Sequence, residues 1–175
     1  MIVEVIGSVA AGLMAGSAAL LAFGGDSVIE LISGIAVLRF LTNGSQTGHK
    51  TERITSGLLF ALIPVIGLGT AYSYFTGLRA EASPIGIVVA VGAVIIMPYL
   101  WYEKRKIGAE IRTVPLTIDA VESLTCLFMA MALLAGLLPV FLFGLWWFDY
   151  VATAVILVFV MKEAVESYRE LRESG

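Results

Sequence analysis

The chain has 175 residues, 59% hydrophobic and 14% charged, with mean hydropathy +0.94 and formal net charge −3. Soluble domains carry about 25% charged residues, so that class is excluded, as is a basic, nucleic-acid-binding surface. The single cysteine, Cys126, excludes an intrachain disulfide.

Long apolar runs between short charged segments predict an all-α polytopic membrane protein of six transmembrane helices. The spans are expected at 2–16, 17–42, 54–78, 84–102, 115–138 and 149–166, a single transmembrane domain over 1–175 with no soluble domain. No cleavable signal peptide is read at the N-terminus, because 1–16 lacks a basic leading region. The first span is short and rich in small residues, with Ser8, Gly12 and Gly16 spaced by four, a face suited to close helix packing. Glu4 interrupts it and is expected at the interface, the alternative being that it reaches the level of Asp26.

The second span carries two carboxylates near its middle, Asp26 and Glu30. Four residues apart, they stack on one helix face. Acids at that depth are costly and ordinarily face a partner or a pathway, so the pair reads as half of a cation site. A polar loop, TNGSQTGHKTER, follows, and its His49 is read as solvated. The third span carries Pro64, and 79–83 forms a tight turn. Ser83-Pro84 reads as an N-cap followed by proline at the first helical position. The fourth span ends at the aromatic anchor Trp101-Tyr102, and Lys104, Arg105, Lys106 and Arg112 form a basic linker beyond it.

The fifth span supplies the other half of the site. Asp119, Glu122 and Cys126 fall at i, i+3 and i+7, one helical stripe. Asp26 and Glu30 lie roughly 13 and 19 Å from the outer end of span two, and Glu122 and Cys126 roughly as far from the inner end of span five. In a core about 30 Å thick, both pairs meet at the midplane. The stretches 26–30, DSVIE, and 122–126, ESLTC, also share the order acid, serine, apolar residue, any residue, donor. Three spans apart, they fit an inverted repeat around a midplane site. No Lys or Arg falls inside a predicted span, so no internal salt bridge is expected for these acids. The sixth span leads into a charged, amphipathic helical tail from Lys162. With the N-terminus inside, ten of the eleven Lys and Arg residues lie on the inner side and only Arg79 outside. Both termini are therefore expected in the cytoplasm, with the chain in the cell (plasma or inner) membrane.

SAALLAFGGDSVIELISG in span two and TIDAVESLTC in span five resemble the cation diffusion facilitator family of divalent-metal transporters. Members of that family place paired ligands four apart on these two helices, usually His or Asp followed by Asp. Here Glu30 stands for Asp, Glu122 for His or Asp, and Cys126 for Asp. The resemblance implies the branch without a C-terminal cytoplasmic domain, and a homodimer. The Ser8-Gly12-Gly16 stripe and the tail from Lys162 are the candidate pairing surfaces.

The expected function is export of a divalent cation, with Asp26, Glu30, Glu122 and Cys126 as metal ligands and no prosthetic cofactor. Asp119 is a candidate relay or entry residue, set against a helix-start role, and Glu4 a candidate additional one. Three carboxylates and a thiolate suit zinc, with manganese, iron(II) and cobalt next. Empty buried carboxyl groups favour their neutral form, so metal would displace protons and export would be coupled to proton entry, without nucleotide and without enzymatic chemistry. The rival readings are a proton- or sodium-coupled carrier of another solute and a membrane metal-binding sensor.

Overall fold

In the computed structural model the chain folds into α1 (Ile2–Ala15), α2 (Ala18–Asn43), α3 (Gly48–Thr76), α4 (Pro84–Glu110), α5 (Val114–Phe143) and α6 (Trp147–Glu173). The structure describes residues 1–43, 48–110 and 114–173; the loop at 44–47, the side chain of His49 and Arg112 lie outside the described residues. Four helices hold stretches long and apolar enough to cross a membrane: Ala18–Arg39, Ile54–Thr76, Pro84–Glu110 and Asp119–Phe143. The remaining two are α1, which at 14 residues spans about 21 Å, and α6, apolar in its first half and charged in its second. The protein is an all-α polytopic membrane protein.

Several element bounds depart from the sequence reading. The helix α4 runs on to Glu110, so the basic cluster at 104–106 is helical rather than a linker, and α5 continues past Pro139 to Phe143. Pro64, Pro98 and Pro139 all lie within helices, where neighbouring helices can satisfy the freed backbone groups. The polar loop after α2 is also narrower, because helix resumes at Gly48.

At the centre stands α2, which packs on α1, α3, α5 and α6, while α4 lies against α5 and α1. Leu20 and Phe23 of α2, Met97 of α4, Met129 and Leu133 of α5, and Ile156 and Val160 of α6 form the buried core. Outward, Val65, Leu68 and Phe75 of α3 and Val88, Ile95 and Tyr99 of α4 are exposed. Apolar surface on this scale needs a covering phase, and for spanning helices lipid supplies it.

Close helix approach rests on small residues. A Cβ on Gly136 would sit 2.4 Å from the Cβ of Ala152, so α5 and α6 meet there almost backbone to backbone. On the other side of the bundle, a Cβ on Gly24 would meet Ser8 Oγ at 2.7 Å, and one on Gly12 would meet Leu21 at 3.0 Å. Ser8 and Gly12 are thus buried against α2 within one protomer. Gly16 is not part of that contact: at φ 60° it is exposed and ends α1 in the left-handed conformation that glycine adopts without strain.

The N-terminal ends of α2, α4 and α6 are tied by polar contacts. As read from Ser83-Pro84, the Gly86 N–H donates to Ser83 Oγ at 3.1 Å and caps α4. The cap of α2 is double. Leu20 N–H donates to Ser17 Oγ at 3.1 Å, while Ser17 Oγ donates to Asp149 Oδ1 and Ala18 N–H donates to Asp149 Oδ2 at 3.0 Å. Asp149 belongs to α6 and is almost fully buried, so one helix provides the anion at another's N-terminus. Nearby, Glu81 N–H donates to Ala15 O at 2.9 Å and Tyr150 Oη to Leu78 O at 2.8 Å. Asp149→Ala would strand the buried hydroxyl of Ser17 and the Ala18 amide. Stability is expected to fall by about 2 kcal/mol, read as a lower thermal midpoint of the purified protein in detergent.

Candidate functional site

The two halves read from the sequence do face one another. Asp26 and Glu30 lie on the side of α2 that meets α5, and Asp119, Glu122 and Cys126 on the side of α5 that meets α2. Asp26, Glu30, Asp119 and Cys126 are buried. Glu30 is in side-chain contact with Cys126, and Ser123 Oγ lies 3.5 Å from Glu30 Oε1. Glu122 is hydrogen-bonded by Ser33, one turn along α2 from Glu30. The cluster therefore bridges the two helices rather than lying along either one.

The serines in the two similar pentapeptides behave alike. Ser27 Oγ donates to Phe23 O at 3.0 Å and Ser123 Oγ lies 3.2 Å from Asp119 O, each reaching back four residues. Such bonding satisfies a buried hydroxyl locally.

Two residues join from other helices. Glu4 of α1 is buried, and Cys126 Sγ lies 3.8 Å from its Oε1. The expectation of an interfacial Glu4 is thus corrected: α1 packs so closely on α2 through Ser8 and Gly12 that its first turn is carried inward to the site. Glu163 of α6 shares a side-chain hydrogen bond with Asp26. The sequence reading missed it by taking the stretch from Lys162 as a charged, amphipathic helical tail. A signal was there. The buried positions Ala152, Ile156, Val160 and Ala164 recur along one face of α6, and Glu163 borders that face, three residues after Val160.

The absence of an internal salt bridge is also corrected. Lys104 Nζ lies 2.9 Å from Asp119 Oδ2 and donates to Ser123 Oγ at 2.7 Å. The reason is the length of α4: as helix continues past Tyr102, Lys104 stays on the face that packs against α5. Asp119 is therefore an ion-paired residue inside α5, five positions after Val114, and not a helix-start residue.

Chemically, the cluster is oxygen-rich and incompletely satisfied. Glu30 Oε2, Asp119 Oδ1 and Glu122 Oε2 are buried with no hydrogen-bond partner. Unpaired buried acceptors are costly, and each is an open valence for a cation or a proton. Among the described residues, no three of the His, Cys, Asp and Glu side chains converge closely enough to hold one metal ion in this conformation.

No curated protein matches the chain. The family model described as the cation efflux transmembrane domain matches residues 2–174. The chain thus belongs to the cation efflux family, the cation diffusion facilitators, whose members are transporters of divalent cations rather than enzymes.

Proposed function

We propose that the protein exports a divalent cation, zinc foremost, from the cytoplasm in exchange for protons, with Asp26, Glu30, Glu122 and Cys126 taking the cargo between α2 and α5. The observation that carries this reading is the set of buried carboxyl oxygens without partners, held on facing sides of the two helices. A dication entering there would gain several oxygen donors whose desolvation is already complete. Because the donors do not converge on one point, loading draws α2 and α5 together by side-chain or helix movement.

The Asp26–Glu163 contact supports the exchange with protons. Two carboxyl groups bond to each other only when one of them holds a proton to donate, a proton that cargo can replace. Oxygen donors outnumber the single thiol, which keeps manganese, iron(II) and cobalt in the set to be compared with zinc. Both termini face the cytoplasm on the strength of the Lys and Arg distribution. In the homodimer that the family resemblance implies, Ser8 and Gly12 are already engaged with α2, so pairing uses another face, the α6 tail from Lys162 among them.

Flux of each metal into proteoliposomes under an imposed pH gradient tests the reading directly. Zinc uptake that collapses with the gradient is expected; transport of none of the four metals would overturn it. Asp26→Asn and Glu122→Gln should each reduce flux at least tenfold, and their effects on metal affinity should be strongly non-additive, as for donors to one ion. Additive losses in titration calorimetry would place them in separate sites. Cys126→Asp hardens the donor set and is expected to shift the zinc-to-manganese preference about tenfold toward manganese. An unchanged preference would assign Cys126 to packing.

A further inference from the structure

The basic run on α4 is split by helix geometry. Arg105 lies with its guanidinium 5.5 Å from the centre of the Trp101 ring, and Lys106 is exposed. A lysine near the end of a membrane helix ordinarily extends its ammonium toward water. Lys104 does the reverse: its side chain is only 17% exposed and its ammonium enters the acidic cluster. There Nζ meets Asp119 Oδ2 at 2.9 Å, Ser123 Oγ at 2.7 Å and Asp119 O at 3.5 Å. Its charge also acts on Glu30 and Glu122.

This compensation is partial. Asp119 uses one carboxyl oxygen on Lys104 and leaves Oδ1 open, while Glu30 and Glu122 each keep an unpartnered buried oxygen. Glu30 and Asp119 are both more than nine-tenths buried. One ammonium thus stands beside three open acceptors, close enough to repel any cation that approaches them.

Resting on the export reading above, we propose that Lys104 is a tethered competitor of the cargo, a specificity residue whose ammonium a cation must outweigh to occupy the cluster. A monovalent ion brings no more charge than the ammonium already present and must still shed its water. A dication brings twice the charge and prevails. The same repulsion keeps the bound dication from being held too tightly, and a carrier's cargo must be able to leave.

The test is calorimetric binding of Zn2+ and of Mn2+ to the purified full chain, with and without competing Na+. Lys104→Met is expected to tighten binding of the preferred metal about tenfold and to make it sensitive to Na+. Lys104→Arg, which keeps the charge, should hold the wild-type affinity. A purely structural lysine predicts the opposite for Lys104→Met, unchanged or weaker binding, and that result overturns the proposal. Equal tightening by Lys104→Arg does so as well, since charge would not be the cause. If Lys104→Met fails to fold, Lys104→Met with Asp119→Asn removes both charges, and it should bind about tenfold tighter than Asp119→Asn alone through Glu30 and Glu122; equal affinities overturn the proposal. A wild-type protein that binds neither ion overturns the export reading and this proposal together, whereas wild-type binding without tightening overturns only the latter.

Discussion

A carboxylate removed from water needs a cation, a proton or a hydrogen-bond donor within reach, and this bundle meets that need in two contrasting ways. At the N-terminal end of α2, both oxygens of Asp149 are taken, one by the Ser17 hydroxyl and the other by the Ala18 amide, in the favourable field of a helix N-terminus. In the inner cluster, Lys104, Ser33, Ser123 and Cys126 cover only some of the acceptors, and three oxygens stay open. The complete arrangement fastens helices. The incomplete one is tolerated because α2 is held at the centre by four neighbours, and it leaves chemistry available where the neighbours meet.

Packing and chemistry are tied through the small residues. Gly24 lets α1 come close enough for Glu4 to reach Cys126, and Gly136 lets α6 lie against α5 along the length that ends near Glu163. Larger side chains at these two crossings would move an acid away from the cluster without touching it.

Much of this was legible in the sequence, for a definite reason. Helix periodicity is local, so spacing alone put Asp26 with Glu30 and Glu122 with Cys126, and the opposed directions of two spans put the pairs at one depth. The cap at Ser83-Pro84 is also a local signal. What escaped depends on three-dimensional neighbours or on where a helix stops. Lys104 was placed in a linker because aromatic residues were taken as the end of α4, although nothing in EKRK breaks a helix. Glu163 was overlooked because the charge of its surroundings outweighed the apolar face it continues. Asp149 capping α2 joins residues 132 positions apart, and no spacing rule spans that distance.

The register of α4 carries a further consequence. Its first turn is pinned by the Ser83 cap and its last third by Lys104 on Asp119, so the helix acts as a ruler between two fixed marks. Inserting or deleting one residue between those marks turns everything beyond it by about 100° and shifts it by about 1.5 Å. Lys104 would swing off the α5 face, and Glu103 or Arg105 would approach Asp119 in its place, one repelling it and the other leaving the Trp101 ring. Side chains along the lipid face of α4 can vary widely in shape, but the number of residues between Ser83 and Lys104 cannot.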